Sequence, residues 1–206
     1  MNPTNLTSIS RAKSLSSRLL ALVACGTSFL FPSANAAPFT PGNLAVYRAG
    51  SGSGSLVSTG SPVFIDEYSP TGTLVQSIAM PTVVSGSNKR LIASGTATSE
   101  GMLTRSIDGR YLIATGYDAA IPTTSLTSTA SATVNRVIGR VDSSGNIDTT
   151  TGLSDASTGN NGRSAVSVDG SAFWFAGAAG GIRYATLGAS TSTQLSTTLV
   201  NHGLFI

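Results

Sequence analysis

Three observations predict an all-β chain. Apolar residues nowhere recur in a sustained way at three, four and seven positions, so helix evidence is nearly absent. Gly, Ser and Thr interrupt the chain every few residues, and short β-branched or aromatic runs fill the gaps. Asp108-Gly109 and Asp169-Gly170 each sit between two such runs, a strong hairpin signal, because glycine takes the positive φ that a tight turn needs.

Taken in order, the chain begins with Arg11, Lys13 and Arg18, followed by the apolar run from Leu19 to Phe31 and by Ala34-Asn35-Ala36, an Ala-x-Ala site. Residues 1–36 therefore read as a secretory signal peptide cleaved between Ala36 and Ala37, and the run is too short to be a membrane span. A rival reading takes Leu22-Val23-Ala24-Cys25 as a lipobox with Cys25 lipidated; the apolar run continuing past Cys25 argues against it. Both readings export the protein, to the exterior, the periplasm or the cell surface. Of the 12 basic residues three lie in the signal, which leaves nine against nine acidic residues, so the high pI implies no nucleic-acid or membrane-surface role. Beyond Cys25 there is no cysteine, so no disulfide staples residues 37–206 and stability rests on sheet packing.

Strand-like runs follow at 44–48, 62–68, 73–79, 102–107, 111–115, 134–141, 164–168, 172–176, 182–187 and 194–200. Ser106, Asp108 and Gly109 lead into Tyr111-Leu112-Ile113, and Gly116 closes the unit seven residues after Gly109. The wording returns 61 residues on as Ser167, Asp169, Gly170, then Phe173-Trp174-Phe175, with Gly177 again seven after Gly170. The flanks repeat too: 62–68, a turn at 69–72 and 73–78 precede the first unit; 134–141, a turn at 142–145 and 146–150 precede the second. Each repeat holds two hairpins, hence four strands, which predicts a partial β-propeller of four-stranded blades, with a β-sandwich as the alternative. The count is about two blades over 37–206, with the runs at 44–48 and 182–200 left for incomplete neighbours. Runs apolar at every position, Tyr111 to Ala114 and Ala172 to Ala176, suit strands covered on both faces, so Phe173 and Trp174 are expected in the core between blades.

The string SIDGRYLI resembles the Ser-x-Asp-Gly-x-aromatic wording of Tol-type and YVTN-type propeller repeats, over 103–116 and 164–177. PFTPGNLAVYR, with the later TGTLVQSIAMPT and ATSEGMLTRS, is similar to the start of a set of secreted bacterial proteins of propeller-like build and unassigned activity. The resemblance implies architecture and a binding scaffold, and carries over no catalytic residue. Since closed propellers have about 4 to 8 blades, the strand count also predicts the N-terminal part of a longer propeller.

Alternation of strands puts the short turns at 108–109, 142–145 and 169–170 on one face, and the longer connections at 81–99, 119–133 and 151–162 on the other. Binding on repeat architectures gathers on one loop face. The candidate contacts there are Lys89, Arg90, Tyr117, Asp118, Asp155, Asn160, Asn161 and Arg163. No catalytic or metal-ligating set stands out, and no cofactor is implied. The single histidine, His202, lies near the end of the chain, which argues against a Ser-His-Asp triad. Asp66 and Glu67 are neighbours on a strand, pointing to opposite faces, and are expected to be solvated at its edge. The loop Asp142 to Asp148 loosely resembles a calcium loop but lacks the closing glutamate, and Gly177, Gly180 and Gly181 open no helix that would cradle a phosphate. The expected function is a non-catalytic binding or scaffold protein whose partner is a protein or a glycan. The alternatives are the N-terminal portion of an exported propeller hydrolase and an adhesin-like surface protein.

Overall fold

The computed structural model describes residues 36–197, so all of the signal peptide but Ala36, with Cys25 and His202, lies outside the described residues, as does the end of the strand-like run at 194–200. Three groups of antiparallel strands follow one another. The first is β1 (Leu44–Ala49), β2 (Gly60–Tyr68) and β3 (Leu74–Ala79). The second is β4 (Ile92–Ser94), β5 (Thr104–Arg105), β6 (Tyr111–Tyr117), β7 (Arg136–Asp142) and β8 (Ile147–Leu153). The third is β9 (Gly162–Val166), β10 (Ala172–Gly177), β11 (Ile182–Thr186) and β12 (Thr193–Gln194). Short β4 pairs with both β2 and β6 and so joins the first two groups into one eight-stranded sheet, while the third group is a separate four-stranded meander. The fold is all-β, and its antiparallel sheets do not close into a barrel. No helix among the described residues is long and apolar enough to cross a membrane.

The Ser-x-Asp-Gly wording has a local cause. Gly109 (φ 75°) and Gly170 (φ 81°) supply the left-handed residue of each turn. Ser106 Oγ accepts from Tyr111 N at 3.0 Å and donates to Asp108 Oδ1 at 2.7 Å. In the second copy Ser167 Oγ accepts from Gly170 N at 2.8 Å and donates to Ala172 O at 2.6 Å. In each case the hydroxyl satisfies turn groups that the short hairpin would otherwise leave unpaired.

Two cores separate the three strand groups. Val63, Ile65 and Ile78 of the first group pack on Ala114, Val137 and Val141 of the second. Ile113, Ile138 and Leu153 of the second pack on Ala165, Phe173, Phe175 and Ala185 of the third. Adjacent residues of β6 and of β7 thus enter different cores, which is why the stretch from Tyr111 to Ala114 is apolar at every position. The run from Ala172 to Ala176 departs from that expectation. Phe173 is fully buried, but Trp174 is only half-buried, meeting Tyr184 at 5.5 Å between ring centroids. Strand alternation turns it to the opposite face, where no further sheet lies among the described residues.

Equivalent residues of the repeat run side by side. Met102 N donates to Arg163 O (3.3 Å) and Thr104 Oγ1 to Ala165 O (2.6 Å), each across 61 residues. Ile107 N and Asp108 N continue this line to Ser167 O and Val168 O. The runs set apart in the sequence at 44–48 and 182–187 complete the first and third groups as β1 and β11. The long connections also contribute to the interior, with Leu91 and β4 from 81–99, and Leu126 in a single 3-10 turn, Leu126–Ser128, from 119–133. β8 extends to Leu153, taking three residues from the connection expected at 151–162.

Candidate functional site

At the end of β6, Tyr117 is buried with the Arg136 guanidinium 4.8 Å from its ring centroid. Its Oη donates to Glu100 Oε2 at 2.7 Å, and Ser94 N donates to Glu100 Oε1 at 2.7 Å. Arg136, fully buried, donates to Val134 O (2.7 Å), Thr129 O (2.7 Å), Ser157 O (3.0 Å) and Asn160 O (2.8 Å), and also to Thr129 Oγ1 (3.2 Å). Burial pulls the Arg136 pKa down, and nearby Tyr117 and Glu100 counter it. The Tyr117 hydroxyl is pushed up, first by burial and then by the Glu100 charge. Glu100 is itself pushed up to about 6 by burial, against the donors Tyr117 and Ser94 and the charge of Arg136.

This carboxyl sets a pH dependence. Its folded pKa of about 6 lies above the ordinary value of 4.5, so the folded protein holds the proton more tightly than the unfolded chain. Its ionisation therefore costs stability above pH 6. The cost is relieved as pH falls toward 4.5, by roughly 2 kcal/mol. Glu100→Gln, which can still accept from Ser94 N and donate to Tyr117 Oη, is expected to remove that component. Urea unfolding of both proteins at pH 4.5 and 7 checks it, and equal pH differences in the two would refute this role.

Most of the other residues predicted to face a ligand are held by partners within the fold. Arg90 Nε meets Asp118 Oδ1 at 2.7 Å. Asp155 accepts from Arg183 Nη2 (2.8 Å), Ser192 N (2.9 Å) and Ser192 Oγ (2.9 Å). Burial would raise its pKa, but these donors hold it below the usual value. Asn161 is buried and donates to Ser99 Oγ at 2.7 Å, while Asn160 is exposed but gives its carbonyl to Arg136. Arg163 accepts from Met102 through its backbone and is half-buried. Lys89 lays its aliphatic stem over Gly152 and makes no ion pair among the described residues. Lys89 and Asp118 come together in a broad hollow of about 610 Å³ with Val84, Ser87, Thr150 and Leu187.

The acidic pair departs from its expected solvation. Asp66 and Glu67 do point to opposite faces, but both are buried. Arg48 Nε meets Asp66 Oδ2 at 2.5 Å, and Ser77 Oγ donates to the same carboxylate. Glu67 accepts from Thr40 N (2.7 Å), Asn43 Nδ2 (2.6 Å) and Gln76 Nε2 (2.7 Å). For each, burial would raise the pKa, but the donors outweigh it and leave the group below its usual value. Turn and neighbouring-strand residues fold over them, so a strand position that looked peripheral is covered. Asp142 accepts from Ser144 N, Asn146 N and Asn146 Nδ2, the arrangement of a capped hairpin turn.

A more enclosed space lies on the short-turn side. Here a cleft of about 340 Å³ separates the segment 39–45 from the second strand group. Phe39, Ala45, Leu112 and Val141 line it, together with Arg105 and Arg110. Arg110 is paired with Asp108 at 2.6 Å. Arg105 is exposed, donates from Nε to Gly109 O at 3.2 Å, and has no carboxylate partner among the described residues. Between the second and third groups the turn at Gly170 lies over the Tyr111 ring, and Arg140 Nη1 donates to Gly170 O at 2.9 Å. A cation beside a partly apolar hollow can bind an anionic group. Arg105 was legible in principle: the residue before the repeat's serine is basic there, whereas the matching position, Val166, is apolar. Compared with known proteins, the chain matches no family model and no curated sequence.

Proposed function

We propose that this is an exported, non-catalytic binding protein of β-propeller build, whose cleft beside Arg105 takes a carboxylate-bearing glycan or an acidic protein segment. The signal-like residues 1–36 support export, and the 61-residue register between neighbouring strand groups supports stacked blades. The observation that carries the binding reading is the open 340 Å³ cleft with an exposed arginine that no carboxylate among the described residues neutralises. A charged pair at such an exposed rim is worth about 0.2–1 kcal/mol, so Arg105→Ala should weaken binding by about two- to fivefold.

The test uses protein expressed from the full reading frame and recovered outside the cytoplasm, with Ala37 as its expected first residue. It is applied to an array of neutral and uronic-acid-containing oligosaccharides and to acidic peptides. Binding to acidic members that weakens with Arg105→Ala and with added salt supports the reading. Equal binding of neutral members, or no effect of the substitution, overturns it.

A further inference from the structure

The cleft beside Arg105 is an opening onto the first core. Val141 belongs to that core, and Phe39, Ala45 and Leu112 pack against it, so these four side chains give the cleft an apolar lining. The wall contributed by 39–45 is fixed before any ligand arrives. Glu67 Oε1 accepts from both Thr40 N (2.7 Å) and Asn43 Nδ2 (2.6 Å), and Phe39 N donates to Ser143 O at 2.8 Å. Much of the polar lining is taken up by the fold itself: the Asn43 amide by Glu67, Arg110 by Asp108, and the Asp142 carboxylate by Ser144 N, Asn146 N and Asn146 Nδ2.

Arg105 differs. Its Nε donates to Gly109 O at 3.2 Å, and the guanidinium fits against the turn because Gly109 has no Cβ. Nη1 and Nη2 donate to nothing among the described residues. A guanidinium anchored through Nε presents its remaining N–H groups as a fork, the geometry that grips a carboxylate. Asp142 lines the same cleft and would repel a second anionic group, so the cleft fits one carboxylate on an apolar body. A uronic-acid ring brings hydroxyls as well. Against Phe39, Ala45, Leu112 and Val141 these would lose water without gaining a partner.

We propose that the cleft takes the C-terminus of a polypeptide, with the terminal carboxylate on the Arg105 fork and an apolar last side chain against Ala45, Leu112 and Val141. This rests on the binding reading of the same cleft and chooses within it, a protein over a glycan. Two observations favour a chain end over an internal segment or a free small acid. The volume of about 340 Å³ stands near the lower end of ligand clefts, about 300–1,000 Å³, which suits an end better than a run of residues. Beside it the surface stays apolar: Ile107, on the turn that carries Gly109, is 58% exposed, and Val168 on the next turn is 44% exposed. Ile107 N to Ser167 O (3.2 Å) and Asp108 N to Val168 O (3.0 Å) join the two turns, so this pair offers contact to the residues that precede a chain end. A free small acid has no such residues. Capture of a chain terminus is one of the recurring modes of peptide recognition.

The secreted protein is titrated with short, N-terminally labelled peptides that differ only in their last residue, leucine or serine, and in their last group, carboxylate or amide, with fluorescence anisotropy as the readout. The leucine acid is expected to bind at least about tenfold more tightly than the serine acid, from burial of the apolar side chain. Amidation should weaken it by about two- to fivefold. Arg105→Ala, at an exposed side chain, should abolish the amidation effect and keep the preference for leucine. Loss of the leucine preference in the unmodified protein, or an amidation effect that survives in Arg105→Ala, overturns the proposal. So does 4-methylpentanoate, the free acid with the same end, if it binds as tightly as the peptide. Uronic-acid oligosaccharides, or amidated peptides with an internal aspartate, that bind more tightly than the leucine acid and weaken with Arg105→Ala overturn it too, but leave the proposed function standing. If no acid of any kind responds to Arg105→Ala, both fall.

Discussion

Replacing Arg136 with methionine is expected to cost about 2–6 kcal/mol of stability, the range for two buried acceptors left without their donor. The side chain is fully buried and donates to four backbone carbonyls, those of Thr129, Val134, Ser157 and Asn160. Thr129 O and Ser157 O also accept from Gly159 N and Asn160 N, so methionine, which fills similar volume, takes the guanidinium donor chiefly from Val134 O and Asn160 O, each at about 1–3 kcal/mol if water cannot reach it. Lysine keeps the charge, but its single nitrogen offers three donors and cannot reproduce the planar fork, so Arg136→Lys should recover only part of the loss. The effect is also directional. Arg136 ties 129–134 to 157–160, the segment that leads into β9, so the third strand group should loosen first. Urea unfolding followed by Trp174 fluorescence reads that group directly. A loss below about 1 kcal/mol, smaller than one unsatisfied buried carbonyl, would show that solvent already replaces the guanidinium.

The parts of the fold legible in the sequence are those set by short-range chemistry. Asp108-Gly109 and Asp169-Gly170 announce hairpins because the turn needs a left-handed residue, and the unbroken apolar stretch from Tyr111 announces a strand covered twice. Strand β4 escaped because three residues, Ile92–Ser94, in a Ser-rich connection carry no period of their own; Leu91 and Ile92 are held there by the strands on either side. Trp174 is only half-buried among the described residues because an apolar run says that both faces suit burial, but not which strands cover them.

For the candidate site the limit was different. Polar residues in connections were read as available, yet Arg90 meets Asp118 across 28 positions and Asn161 meets Ser99 across 62. Spacing along the chain cannot reveal such partners. Arg136 and Glu100 were passed over for the same reason, each being a single charge in an otherwise unremarkable stretch. Among the described residues Arg105 is left without a carboxylate by the same folded arrangement that supplies Arg48 with Asp66 and Arg183 with Asp155.

Gly177→Ala is expected to cost about 3 kcal/mol and Gly116→Ala about 2–3 kcal/mol, at the upper end of the overpacking range. Neither glycine has a positive φ, so conformational freedom does not explain them. A Cβ on Gly116 would stand 2.7 Å from Ile92 O, and one on Gly177 would stand 2.8 Å from Asn161 O and overlap the Ser157 side chain. The obstacles include backbone carbonyls, which cannot swing aside as a flexible side chain can. Gly109 gives the contrast within the same repeat: its φ is 75°, and a Cβ there meets chiefly the Arg105 guanidinium, the mobile end of an exposed side chain. Asparagine tolerates that backbone region, so Gly109→Asn should cost under about 1 kcal/mol. Midpoints of urea unfolding for the three variants separate the causes. If Gly177→Ala proves as mild as Gly109→Asn, the close approach of the 157–161 segment is wrong. If it does not, the seven-residue spacing from turn glycine to closing glycine is a packing requirement: one glycine turns the chain, and the other lets the connecting segment pass at backbone distance.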